Sequence, residues 1–185
     1  MKDYFIQYKP FLLFLAKFGA SYLILTFIYQ SYLNQFDTKK LEVDDFTQLV
    51  ANQSEKVLSL IDNNSFTESN TKETSVNLYY KGKWTVRVIE GCNALSIIIL
   101  FISFIIAFKG KLKPSLLFII CGSLLIHTMN VIRIALLCIA LYNFPNNKSI
   151  FHDIIFPIVI YGVVFMLWIL WVNKYSYYAE KPTTK

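Results

Sequence analysis

The chain has 185 residues and a formal net charge of +6; it is 55% hydrophobic, 17% aromatic and 16% charged, where a soluble domain carries about 25% charged residues. The apolar residues gather into blocks long enough to cross a bilayer, which excludes a soluble globular enzyme and a disordered tail, and three cysteines are too few for a disulfide framework. The surplus of Lys and Arg (18 against 12 Asp and Glu) would suit nucleic acid, but the cations sit where a membrane protein needs them.

A membrane-spanning helix takes about 20 apolar residues. Residues 11–29 supply the first, interrupted only by Lys17. No small-residue cleavage site follows, so residues 1–30 are expected to remain as an anchor helix. Residues 31–90 form a polar insert. In it Phe46, Leu49, Val50, Gln53, Val57, Leu60 and Ile61 recur at helical spacing, which predicts an amphipathic helix. Residues 63–75 are polar and read as a loop. Val76-Asn77-Leu78-Tyr79-Tyr80 and Trp84-Thr85-Val86-Arg87-Val88-Ile89 flank Lys81-Gly82-Lys83, which predicts a β-hairpin with a three-residue turn. A short second span covers residues 93–108. The third runs from Pro114, suited to a first helical turn, to about residue 142. The fourth covers residues 151–172, and Pro157 frees the carbonyl of Asp153 near its start. The expected fold is therefore an all-α integral membrane bundle of about four transmembrane helices. The three helices of residues 91–173 form the core, with an extracytoplasmic insert (amphipathic helix and hairpin) before them and a basic tail at 174–185.

Orientation follows from Lys and Arg in the short flanks. Lys2 and Lys9, then Lys109, Lys111 and Lys113, then Lys174, Lys181 and Lys185 face only Asp3 and Glu180. The insert is balanced, with seven cations and nine acids over residues 31–91. With four spans the basic pieces share one side, the cytoplasm, where Lys17 can also snorkel. Both termini then lie inside, and the insert and the 143–150 loop outside.

Ionisable residues in membrane spans are costly and mark function. Cys92 opens the second span. Arg133 lies 19 residues beyond Pro114, about 28 Å up the third helix, near the outer surface of a core about 30 Å thick. His152 opens the fourth span. A thiol, a guanidinium and an imidazole thus reach one outer level from separate helices, an arrangement suited to a cysteine nucleophile. The positive end of a helix dipole favours the Cys92 thiolate and a neutral, proton-accepting His152. Arg133 can stabilise an oxyanion or grip a carboxylate, and Asn130, one turn before it, can orient it. Plainer readings stand beside these: Arg133 snorkelling to lipid phosphate, and His152 as an interfacial helix start. Cys121 and Cys138 read as packing residues, although a Cys138–Cys92 bridge is conceivable. His127, about two turns deeper than Arg133, reads as a packing or hydrogen-bonding residue. Asp153 points about 100° away from His152 on a helix and is not expected to orient it. Glu90 reads as a solvated strand end.

Three pieces carry a family resemblance. Glu90-Gly91-Cys92-Asn93-Ala94-Leu95-Ser96, Asn130-Val131-Ile132-Arg133-Ile134 and Phe151-His152-Asp153 resemble, in order and spacing, the cysteine, N-x-x-R and histidine motifs of the exosortase/archaeosortase family of membrane cysteine transpeptidases. The nearest branch is exosortase F-type, a compact group of Gram-negative bacteria. The resemblance implies a triad of Cys92, Arg133 and His152. It implies cleavage of the C-terminal sorting segment of exported proteins at the outer face of the inner membrane, with transfer to an acceptor. Two departures stand out: Asn93-Ala94 replaces the Ser-Gly pair common after the cysteine, and the chain has fewer spans than larger members.

The expected enzyme is a cysteine peptidase or transpeptidase that needs no metal or cofactor, since no His, Cys and carboxylate set has zinc-like spacing. Its partners are the sorting segment, an acceptor and the bilayer; no nucleic-acid module or phosphate-binding glycine loop is present. The rival reading is a non-enzymatic membrane scaffold that binds a partner through its outer insert. A transporter with Arg133 as an anion site is disfavoured by the almost wholly apolar inner halves of the second and fourth spans. Haem ligation by His127 and His152 fails on their difference in depth.

Overall fold

A computed structural model of the chain describes residues 2–108 and 110–176, with side chains from Tyr8 onward. Lys109, the side chains of Lys2 and Asp3, and most of the expected basic tail lie outside the described residues. The elements are α1 (Lys2–Leu33), α2 (Asp45–Ser59), β1 (Phe66–Ser69), β2 (Val76–Tyr80), β3 (Lys83–Val88), α3 (Leu95–Ala107), α4 (Leu112–Asn143) and α5 (Phe156–Lys174). Among the described residues three helical segments are long and apolar enough to cross a membrane: Tyr8–Leu33, Leu112–Asn143 and Ile150–Lys174. The sequence led us to expect about four. The exception is α3, whose 13 residues reach only about 20 Å.

The helices alternate in direction. Phe14 of α1 meets Phe104 and Phe108 at the end of α3, while Tyr29 of α1 meets Glu90 and Asn93 just before its start. The helix α3 thus runs antiparallel to α1 beside its apolar stretch. Gly110 bridges Ser176, and Lys9 and Lys17 line a recess with Ala107 and Phe108. Lys9, Lys17, the 110–113 turn and Lys174 therefore share one end of the bundle.

Two cores hold the fold. The first joins Ile98, Phe101 and Ile105 of α3 to Ile126 of α4 and to Val164 and Trp171 of α5. Gly122 lets α4 close on α3: a Cβ there would sit 2.4 Å from the Phe101 ring. The second core lies at the opposite end. Val50, Ala51 and Leu58 of α2, Val76, Leu78 and Tyr80 of β2, and Val88 pack on Val131, Ile134, Ala135 and Cys138 of α4. The helix α4 has 32 residues, about 48 Å, well beyond a core about 30 Å thick. The insert covers that surplus.

The insert differs from its predicted form in three ways. It contains a third strand: β1 lies within the stretch expected to be loop and pairs antiparallel with β2 in a β1-β2-β3 sheet. Phe66 stacking on Tyr79 at 4.4 Å supplies a cross-strand contact that polar composition hid. The turn has two residues, not three. Tyr80 pairs with Lys83, and Lys81 and Gly82 both take positive φ, the mirror-image turn that matches strand twist. Finally, α2 forms where the helical spacing lies, its start capped by Asp44, which accepts from the Thr47 N–H at 2.9 Å, but it buries Thr47, Val50, Ala51, Ser54 and Leu58. Small residues let it approach the sheet and α4 closely, while Leu49, Leu60 and Ile61 stay exposed.

Candidate active site

The strand β3 delivers the chain from the sheet into one 3-10 turn, Glu90–Cys92. The Cys92 N–H donates to the Ile89 carbonyl at 2.9 Å and the Asn93 N–H to Glu90 at 3.1 Å. Ala94 then takes a left-handed conformation, φ 65°, which turns the chain into α3. Cys92 therefore stands on a separate turn ahead of α3 and not on its first turn, as the motif suggested. The reason is the left-handed step at Ala94, which breaks the helix between them.

Cys92 is half-buried and lines a cavity of about 580 Å³. Its apolar wall includes Trp84, Val86, Leu137 and Leu141, and its polar edge includes Lys83, Arg87, Lys148 and His152. Arg87 is ion-paired with Glu73. Cys92 and His152 thus face one cavity, from β3's exit and from the approach to α5.

His152 sits in a turn of π-helix, Ile150–Ile155, where the Phe156 N–H donates to the Phe151 carbonyl. The wide register ends where Pro157, in the first turn of α5, supplies no N–H. His152 Nδ1 lies 2.6 Å from Asp153 Oδ1, which corrects the expectation that Asp153 stands apart. Nδ1 is the ring nitrogen nearest the backbone, so two neighbouring short side chains at an exposed surface can meet despite their angular separation. A carboxylate on Nδ1 fixes the proton there and leaves Nε2 as the acceptor.

Arg133 does not line the cavity. It is half-buried on α4, and its Nη1 donates to Asn130 Oδ1 at 3.2 Å. Asn130 is fully buried and its Nδ2 donates to the Cys92 carbonyl at 2.8 Å. Arg133 therefore reaches the cysteine through Asn130. The buried Arg133 Nε has no hydrogen-bond partner among the described residues, so a donor stands ready there, because a buried unmet donor costs about 1–3 kcal/mol.

Three further polar residues surround the cysteine turn and escaped the sequence reading. Tyr29 Oη donates to Glu90 Oε1 at 2.5 Å, so Glu90 is engaged with a membrane helix and is not a solvated strand end. Asn93 is buried and its Nδ2 donates to Tyr29 Oη and Thr47 Oγ1, both at 3.1 Å. Its Oδ1 accepts from the Leu95 N–H at 2.9 Å. The signal was an asparagine and a tyrosine at the edges of apolar blocks. The other potential site residues lie elsewhere. His127 Nε2 meets Gln53 Oε1 at 2.7 Å and joins α4 to α2. Cys138 is fully buried, Cys121 is exposed, and neither is bridged to Cys92.

No curated protein and no solved structure matches the chain. A family model described as Transmembrane exosortase matches residues 10–171. That match takes in α1 from Pro10 onward, the whole insert and the turn, helix and approach that carry Cys92, Arg133 and His152, so the chain belongs to the transmembrane exosortase family.

Proposed function

We propose that this chain is a membrane cysteine transpeptidase that cleaves the C-terminal sorting segment of exported proteins and passes the product to an acceptor. The observation that carries the reading is the shared cavity of Cys92 and His152, backed by the Arg133–Asn130 link to the Cys92 carbonyl. His152 Nε2 takes the thiol proton, and the thiolate sulfur bonds to a peptide carbonyl carbon. The positive charge of Arg133, which stands behind the Cys92 turn, is linked to it through Asn130 and has no carboxylate partner among the described residues, favours the resulting oxyanion. Collapse breaks the C–N bond, and the imidazolium returns its proton to the departing amine. An acceptor nucleophile then loses its proton to His152, attacks the thioester and frees Cys92; water in its place would give hydrolysis. Asp153 holds the ring in the tautomer this needs.

The proposed setting is the bacterial inner membrane, with the lysine-rich end in the cytoplasm by the positive-inside rule and the cavity at the periplasmic face. The exosortase F-type reading rests on the compact core and the three motifs. Single replacement of Cys92, Arg133 and His152, followed by processing of an exported protein with a short C-terminal membrane segment, tests the assignment. Loss in all three supports it, whereas normal processing at normal abundance in all three ends it. The scaffold reading predicts that Cys92→Ala keeps activity while changes to the hairpin abolish it.

A further inference from the structure

The turn that carries Cys92 is held from two sides. On one side Asn130 of α4 grips the Cys92 carbonyl. On the other, a single hydroxyl, Tyr29 Oη of α1, donates to Glu90 and accepts from Asn93. Those two residues bracket Cys92, two positions before it and one after. Thr47, at the start of α2, holds the same Asn93 amide. Nothing in the anchor role of α1 asks for this. Its lipid-facing residues, such as Leu23 and Phe27, are exposed, and the apolar contacts of Phe14 with α3 already seat the helix.

We propose that Tyr29 is a positioning residue for Cys92: its hydroxyl staples Glu90 to Asn93 and so fixes the turn that presents the thiol to the cavity. The proposal rests on the cysteine reading above. A reactive group must be held by the hydrogen bonds of its neighbours to sit in productive geometry, and Ala94 leaves this turn no helical continuity with α3. The staple replaces that continuity. It makes the first membrane helix part of the site and explains why asparagine stands directly after the cysteine: its amide donates to two hydroxyls while its carbonyl caps the first N–H of α3.

The test uses the full chain in membranes, with alkylation of Cys92 by N-ethylmaleimide followed on the Cys92 peptide by mass spectrometry. Tyr29→Phe removes the hydroxyl and keeps the ring. The loosened turn is expected to expose the half-buried thiol, so alkylation rises about threefold or more at an unchanged thermal midpoint. Processing falls about tenfold in kcat with KM held. Glu90→Ala, which removes the acceptor, behaves alike. Glu90→Gln, which keeps a carbonyl acceptor, stays within about twofold of the parent in both rates. Parent-like or slower alkylation in Tyr29→Phe or Glu90→Ala overturns the proposal. So does a Glu90→Gln as impaired as Glu90→Ala, which would make charge the cause, and so does failure of both Tyr29→Phe and Glu90→Ala to accumulate, which would make the tie purely structural. Absence of processing by the parent, with the alkylation response intact, sinks the transpeptidase reading alone.

Discussion

Asn130 is the residue on which the two halves of the candidate site depend, because it bonds to Arg133 with its oxygen and to the Cys92 carbonyl with its nitrogen. Asn130→Ala leaves that carbonyl unmet in a partly buried place, at about 1–3 kcal/mol. We expect a loss of processing of about tenfold or more, read as turnover at saturating substrate. Asp153→Asn keeps an acceptor for His152 Nδ1 at an exposed position. It should cost less than about tenfold, where His152→Ala costs about a hundredfold or more; equal losses would make the carboxylate as necessary as the ring, and an unimpaired His152→Ala would remove the imidazole from proton transfer. Cys92, Arg133 and His152 were legible in the sequence because sulfur and charge stand out against apolar helices. Tyr29, Thr47 and Asn93 were not, since each has an ordinary reason to lie near a membrane edge. Their partners, more than 40 residues apart in the chain, meet only once α1, α2 and the cysteine turn are packed. The Asp153 contact was hidden because angular separation along a helix takes no account of how near the backbone Nδ1 lies.

At the scale of elements, Ala94 and Gly122 set how α3 joins the site and the bundle. Ala94 stands in the left-handed region, where a Cβ costs about 1–2 kcal/mol. Ala94→Gly should raise the thermal midpoint slightly, because relief of that strain outweighs glycine's entropy cost of about 0.5–1 kcal/mol, whereas the β-branched Ala94→Val should lower stability by about 2 kcal/mol or more. Gly122→Leu forces a side chain into the Phe101 ring and should lower the thermal midpoint by several degrees, an overpacking cost of about 1–3 kcal/mol. A midpoint equal to the parent's would show that α3 and α4 do not close there. Helical periodicity located α2, and alternation located β2 and β3, because each shows its period in consecutive residues. The strand β1 showed none: its four residues carry polar side chains apart from Phe66, and pairing with β2 is what makes them a strand. The buried face of α2 was misjudged because threonine, alanine and serine were counted as polar or neutral, whereas helix–sheet approach selects them for size.

Across the whole molecule, the basic segments gather at one end and the Cys92 cavity at the other. The proposed topology therefore makes a paired prediction. A cysteine introduced at Lys81, on the turn at the hairpin tip, should react in intact cells with a membrane-impermeant maleimide, and one at Lys111 only after the membrane is opened. The reverse pattern would turn the protein over and place the site inside. Block lengths and lysine positions made the bundle's alternation readable, while the shortness of α3 and the surplus length of α4 became meaningful only when the insert was seen to cap α4. The central claim is that the Cys92 sulfur attacks substrate, and its most direct measurement is mass spectrometry of the Cys92 peptide during turnover of an exported substrate. The account predicts a hydroxylamine-labile thioester in which Cys92 carries the substrate's N-terminal fragment through its new C-terminal carbonyl, absent in Cys92→Ser. Cleavage by Cys92→Ser at the parent's rate, with no adduct on the parent, would contradict it.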